Sequence, residues 1–409
     1  VFENRKEAGI MAGSVTPYPT KAGRRWEVRY RRPDGGTTRK RGFLRKADAE
    51  QHLAAVTISK VTGDYVDPAR GRATVASRAD DWLRKKAGLK PSYANTLESA
   101  WRVHVEPKWG HRTLTSIESA EIEAWIQDMR EGTAPTVRRG KEAKRTYKLG
   151  ASVILRNLGV LAGILDDAVR DRRLTTNPAR GLENLPRKSP DQNRRYLTDA
   201  EIARFIEHID DYTRAVLILL LAYTGLRWGE ATGLRVKDIN PLRKRIHVRQ
   251  NAVDVHGKIH LGTPKSWELR TVPLFDFLAE PIAALCDGKG PDDLVFQNDT
   301  GSYVLRPKGD EIGTSWFRAA QKKAGLQRFR IHDLRHTAAS LAISSGANVK
   351  VVQKMLGHKS AAMTLDTYSD LFDSDLDDIA ERMSKRGGDT AAPALKNVSK
   401  LRPRLAKAA

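Results

Sequence analysis

The chain has 409 residues, 30% of them charged, a formal net charge of +23, a sequence pI near 10.1 and one cysteine, Cys286. That length exceeds one ordinary domain and suggests two or three, and the positive field favours a polyanionic partner, nucleic acid ahead of an anionic membrane surface. A single cysteine excludes a disulfide framework or a thiolate zinc cluster within the chain and reads as a small core residue; the longest apolar run, Ala215 to Tyr223, is far shorter than the about 18 residues of a spanning helix.

The first residues lack the basic region, apolar stretch and small-residue cleavage site of a secretory signal, so a cytoplasmic protein is expected. Val1 opens the chain and Met11 follows Lys6 and Glu7, a pair that a purine-rich ribosome-binding sequence can encode, which raises Met11 as the translation start in a bacterial or phage gene. From Lys21 to Lys46 cations alternate with apolar residues. Trp26, Val28 and Tyr30 fall on one face of a strand, Pro33 to Gly36 supplies a turn, Thr37 to Phe43 forms a second strand, and Ala47 to Val56 reads as a short amphipathic helix. Arg25, Arg29, Arg31, Arg39 and Arg41 then line the open face of a small sheet, a shape that enters a DNA major groove or, in the plainer reading, a solvated basic hairpin.

A helical stretch follows from about Arg72 to Leu185. Ile122, Trp125, Ile126 and Met129 mark one helix face, with Ser119 as its expected N-cap, and Leu155, Leu158, Leu161, Ile164, Leu165 and Ala168 mark another helix that stops before Asn177 and Pro178. Trp82, Trp101, Trp109 and Trp125 sit within apolar patterns and read as core. Between the helices, the polar segment from Gly132 to Gly150 carries Arg138, Arg139, Lys144 and Arg145 and is expected to be a loop near phosphate. Asn184 to Asn193 reads as a linker, Thr198 and Glu201 as a capping box, and Arg245 to Val253, His256 to Leu261 and Arg270 to Pro273 as one small antiparallel sheet. The tail beyond Arg386 reads as flexible and basic.

Five positions in the second half carry potential chemistry. Arg227 follows a glycine at the end of an apolar helix and stands one helical turn from Glu230, which suits either a structural ion pair or a carboxylate orienting a guanidinium. His332 and Arg335, spaced i, i+3, share a helix face that can present two donors to one phosphate. His358 follows Gly357 at a helix end, and Tyr368, taken alone, equally suits a buried core position.

In combination, from about Leu197 to Met383, these segments resemble the catalytic domain of tyrosine recombinases, specifically phage integrases. Thr224-Gly225-Leu226-Arg227 is similar to the family's first arginine motif, Thr263-Pro264-Lys265-Ser266 with Arg270 to Leu274 to its β-hairpin lysine motif, His332-Asp333-Leu334-Arg335 to its His-x-x-Arg box, His358 to the next histidine and Tyr368 to the nucleophile. Trp228 and Gly229 are less usual neighbours of the first arginine. The resemblance implies a mainly α fold with small β-sheets. It further implies an arm-type DNA-binding domain at 1–70, a helical core-binding domain at 71–186, a catalytic domain at 187–386 and a basic tail at 387–409. The implied catalytic set is Arg227, Lys265, His332, Arg335, His358 and Tyr368, supported by Glu230.

The implied reaction is attack by Tyr368 on a DNA phosphodiester to give a 3′-phosphotyrosine and a 5′-hydroxyl, with the arginines and His358 stabilising the transition state, Lys265 protonating the leaving group and His332 assisting proton transfer. No cofactor and no metal are called for, because the phosphodiester energy is kept in the phosphotyrosine. Implied partners are double-stranded attachment-site DNA, three further copies in a homotetramer docked through 373–385, and accessory DNA-bending and directionality (excisionase) proteins, in a bacterial host's nucleoid. A type IB topoisomerase and a DNA-binding regulator without catalysis are the competing readings.

Overall fold

The computed structural model describes residues 13–63, 65–67, 70–138, 141–142, 148–188, 194–263, 269–307, 315–371, 380–381 and 383–386. The chain forms two compact units, Val1–Pro190 and Asp191–Ala409. Among the described residues no helix is long and apolar enough to cross a membrane.

The first unit opens with a three-stranded antiparallel sheet, β1 (Gly13–Thr20), β2 (Gly23–Arg31) and β3 (Thr37–Phe43), in the order β1-β2-β3, followed by α1 (Lys46–Val61). The sequence reading had two strands here and missed β1, whose Pro17 and Pro19 argue against a strand. The structure accommodates them because β1 is an edge, where a proline's missing N–H interrupts no second ladder. Val28 and Tyr30 from β2 pack with Ala49 of α1 and with Tyr65 in a small core of their own.

A separate, larger core joins α2 (Val75–Lys86), α3 (Pro91–Ala100), α4 (Glu106–Trp109), α5 (Ser119–Glu131) and α6 (Ala151–Arg170). All four expected core tryptophans are buried in it, and Trp109 meets Trp125 edge to face at 5.7 Å. The N-cap of α5 is Glu118, not Ser119: Glu118 and Glu121 form a reciprocal capping box, and the Ser119 hydroxyl instead donates to the Pro178 carbonyl at 2.8 Å. The polar segment after α5 contributes two short strands, β4 (Val137–Arg138) and β5 (Lys141–Glu142).

In the second unit, α7 (Asp199–Glu207) starts at the expected Thr198/Glu201 capping box. Then come α8 (Tyr212–Thr224) and α9 (Trp228–Thr232), strands β6 (Ile239–Asn240), β7 (Arg245–Val248), β8 (Asn251–Val255), β9 (Lys258–Gly262) and β10 (Arg270–Pro273), and helices α10 (Asp276–Cys286), α11 (Trp316–Lys323), α12 (Ile331–Ser344), α13 (Val349–Leu356) and α14 (Ala361–Tyr368). The single sheet expected here is two: β10-β7-β6 and a separate β8-β9 hairpin. The run from Arg245 to Val253 breaks at Arg249 and Gln250, and the Gln250 side chain donates to the Gly233 carbonyl. Cys286, at the end of α10, is half-buried beside the core rather than within it. Helix α12 is buried from Leu334 through Ala339, so its polar residues stand at the centre of this unit. The 387–409 tail, residues 1–12 and most of the 373–385 docking segment lie outside the described residues.

Candidate active site

The apolar run of α8 ends at Gly225, whose backbone is left-handed (φ 66°) and whose N–H closes the helix on the Leu221 carbonyl at 3.1 Å. A Cβ at Gly225 would also lie 2.6 Å from Leu356 Cδ2, so both conformation and space require glycine here. The turn makes Arg227 the N-cap of α9. Its backbone N–H donates to Glu230 Oε2 at 2.9 Å and its Nη1 donates to Oε1 at 2.8 Å.

Glu230 is shared. Arg270, the first residue of β10, donates to the same carboxylate through Nη1 at 3.0 Å and Nη2 at 2.6 Å, and through Nε to the Met355 carbonyl at 3.2 Å. Burial pushes the Glu230 carboxyl up, but the hydrogen bonds and charge of Arg270, with Arg227, more than offset this and hold it at about 2. Glu230 is therefore ionised, and the two arginines differ in consequence: the side chain of Arg270 is 8% exposed, whereas that of Arg227 is 26% exposed. Only Arg227 keeps solvent-facing surface for a ligand.

Arg335, on α12, is buried and donates from Nη1 to the Gly225 carbonyl at 2.6 Å and from Nη2 to the Leu356 carbonyl. It thereby ties the turn before Arg227 to the turn before His358. Burial first, then the neighbouring Arg227, push its pKa below the usual guanidinium value, with Glu230 opposing. A buried cation held beside a second cation is a place suited to an anion. His332, one helical turn earlier, keeps a solvent-exposed edge, yet burial of its ring and then His336, Arg335 and Arg227 lower its pKa to about 4.

Gly357 ends α13 in the left-handed region and turns the chain into His358. The His358 ring lies nearly parallel to that of Tyr368, centroids 6.4 Å apart and planes 6° apart, and its Nδ1 hydrogen-bonds with Thr364 Oγ1 at 3.0 Å. Burial, then Arg335 and Arg227, bring His358 to about 4. Tyr368 is the last residue of α14 and is 1% exposed. Burial raises its pKa to about 12 against the opposing charges of Arg335 and Arg194. Its hydroxyl lies 2.9 Å from Nδ1 of His336, a residue that α12 places one turn beyond His332.

The fold thus gathers Arg227, Glu230, His332, Arg335, His358 and Tyr368 into one region, and Lys265 lies outside the described residues. Sequence reasoning missed Arg270 and His336. His336 was legible as the i+4 partner of His332 on one helix face; Arg270 had no local signal, because its carboxylate is 40 positions earlier.

Residues 195–375 match the phage integrase family. Those residues carry a phage integrase family domain, and the chain is similar to curated tyrosine recombinases. It is 27% identical to an integrase of Mycobacterium phage D29 over 373 residues, which span 86% of this chain and 90% of the relative. In fold it is similar to the Tn1549 transposon integrase solved in complex with transposon right end DNA (TM-score 0.59, 20% identity, 75% of this chain and 100% of that one). It is similar also to lambda integrase, solved as a tetramer bound to a Holliday junction (TM-score 0.52, 18% identity, 84% of this chain and 96% of that one).

At the other end of the chain, the sheet carries its expected arginines on one face. Cross-strand pairing sets Arg29 opposite Arg39 and Glu27 opposite Arg41. Glu27, 6% exposed, is the centre of this face: Arg41 Nε reaches it at 2.7 Å, Arg29 Nε at 3.3 Å and Arg39 Nε at 3.9 Å. The hydrogen bond from Arg41 outweighs desolvation and, with the three cationic charges, holds the carboxyl below its usual range. Arg31 is exposed and donates from Nε to the Gly35 carbonyl at 3.2 Å, and Arg25 is half-buried. The backbone of Arg138 is in β4; Arg139, Lys144 and Arg145 lie outside the described residues.

Proposed function

We propose that this chain is a site-specific recombinase of the phage or prophage integrase type, which cuts and rejoins DNA at attachment sites through a 3′-phosphotyrosine on Tyr368. The observation that carries this reading is the buried Tyr368 stacked with His358, beside an Arg335 whose guanidinium ties together the turns bearing Arg227 and His358. A phenol at about 12 is a poor nucleophile in neutral water, and a cationic cluster is what lowers the cost of charge on the pentacoordinate phosphorane. Arg227 and Arg335 take the non-bridging oxygens, His358 adds a hydrogen bond, His332 assists proton transfer, and Lys265 protonates the departing 5′ oxygen. Glu230 positions Arg227.

The remaining parts follow from the same reading. Residues 1–70 act as an arm-type DNA-binding domain, 71–186 as a core-binding domain and 187–386 as the catalytic domain, with Arg25, Arg29, Arg31, Arg39, Arg41, Arg138, Arg139, Lys144 and Arg145 as phosphate or groove contacts. The lambda integrase tetramer on a Holliday junction supports four copies acting on paired sites, and the near-isoenergetic chemistry calls for accessory bending and directionality proteins. The test is incubation with a nicked attachment-site duplex. A covalent adduct that Tyr368→Phe abolishes, and recombinants from paired sites, are the expected results. An adduct without recombinants means a topoisomerase, and no adduct means a regulator.

A further inference from the structure

We propose that His336 is the proton acceptor for Tyr368: its Nδ1 takes the phenol proton as Oη attacks phosphorus. The proposal rests on Tyr368 being the nucleophile and adds a residue that touches the reacting oxygen itself.

The geometry carries it. His336 Nδ1 is the hydrogen-bond partner of Tyr368 Oη among the described residues, at 2.9 Å, with the two rings 5.7 Å apart and inclined by 61°. Neither His332 nor His358 holds that position: His332 meets the edge of His336 at 5.1 Å between centroids, and the Nδ1 of His358 is engaged by Thr364. His336 is 9% exposed on a helix buried along most of its length, so it approaches as a fixed group.

The direction of the hydrogen bond is set by the charge and tautomer of the imidazole, and the proposal takes the Nε2–H tautomer. Burial lowers the His336 pKa to about 4; Asp333 opposes this, while Arg194, Arg330 and Arg335 add to it. The other groups around the pair are His332 on the same helix, Tyr196 ahead of α7, and His358. At neutral pH the imidazole is therefore uncharged. With its proton on Nε2, Nδ1 accepts and the phenol donates, which leaves the Oη lone pairs free for phosphorus. A protonated imidazole would reverse the bond and occupy one of those lone pairs.

The same directions bear on the timing. With the phenol pushed up and the imidazole pushed down by burial, transfer ahead of attack is unfavourable. The proton therefore moves as the Oη–P bond forms, when the oxygen becomes strongly acidic and the phosphate anion beside it favours an imidazolium. The Oη–P bond forms, the P–O5′ bond breaks, the phenol proton passes to His336, and the 5′ oxygen takes a proton from its own donor, Lys265 in the reading above. On religation His336 returns its proton to the leaving tyrosine oxygen.

The test measures single-turnover adduct formation on the nicked duplex and on the same duplex with a 5′-bridging sulfur, a leaving group that needs no acid. His336→Ala and His336→Asn are compared with Lys265→Ala and Tyr368→Phe; asparagine keeps an acceptor near the Nδ1 position but is not a base. Both His336 variants are expected to slow adduct formation by about 100-fold or more on both substrates, with DNA affinity unchanged and a rate that rises with hydroxide. Lys265→Ala is expected to recover on the sulfur substrate. An asparagine variant at the wild-type rate would reduce His336 to a positioning residue, and a faster alanine variant would make the bond a latch on the buried tyrosine; either overturns the proposal. Recovery of the His336 variants on the sulfur substrate also overturns it, since it places their defect at the leaving group. An adduct that survives in Tyr368→Phe refutes the nucleophile assignment instead, and that variant identifies which of the two failed.

Discussion

Arg270 grips Glu230 through two hydrogen bonds, 3.0 and 2.6 Å, and the carboxylate so held is the one that also fixes Arg227. Breaking a buried pair of this kind leaves an uncompensated charge, so Glu230→Ala should cost about 3–5 kcal/mol of stability. Adduct formation should fall with it, because Arg227 loses its anchor. Urea unfolding of the variant beside the wild type checks this; an unchanged midpoint refutes the role assigned to the pair.

The same carboxylate gives an acid dependence whose sign is fixed. Its folded pKa of about 2 lies below the usual 4.5, so the contribution is present in full above pH 4.5 and is lost as pH falls toward 2; the difference corresponds to about 3 kcal/mol. Glu230→Gln should flatten that part of the acid limb in urea midpoints measured from pH 5 to 2. An unaltered slope would mean that Glu230 titrates near its unfolded value.

Two histidines act over a higher window, His336 buried and His358 half-buried. His336 and His358 are lowered from 6.5 to about 4, so the unfolded chain binds more protons between those values and stability falls as pH drops from 6.5 toward 4. Neither should show a titration near pH 6.5 in the folded protein, which proton NMR of the imidazole C–H signals reads directly. A midpoint at 6.5 for both would contradict the lowering.

Gly225→Ala should separate binding from cleavage. The left-handed backbone alone costs about 1–2 kcal/mol, and the added methyl meets Leu356 at 2.6 Å. The strain falls on the carbonyl that receives Arg335, so strand cleavage should drop by at least about tenfold while affinity for duplex DNA, measured by fluorescence anisotropy, holds. Equal losses in both would place the effect on folding.

For DNA binding, a chain of net charge +23 should lose affinity steeply with salt, by about a thousandfold or more between 50 and 200 mM if six or more phosphates are engaged. Arg39→Ala should shallow the log–log slope by about one, and Glu27→Gln, which frees Arg29, Arg39 and Arg41 from their shared carboxylate, should steepen it. A slope indifferent to both changes would remove the sheet from the interface.

Much of this protein is determined by sequence alone, wherever the signal is local. Helix periods placed the buried tryptophans and the α5 and α6 faces, the Thr198/Glu201 spacing placed a cap, and the order of the short motifs from Arg227 to Tyr368 resembled the phage integrases whose family domain residues 195–375 match. Each depends on residues within a few positions of one another, so side-chain spacing along one element is enough. Three things only the tertiary structure decided: the edge strand β1 despite its prolines, the sharing of Glu230 between Arg227 and Arg270, and the meeting of Tyr368 with His336. The strand β1 pairs with its sequence neighbour β2 but is stabilised only as the edge of a sheet, whereas in the other two cases the partners come from elements far apart in the chain, and the contact exists only because burial of a common core brings those elements together.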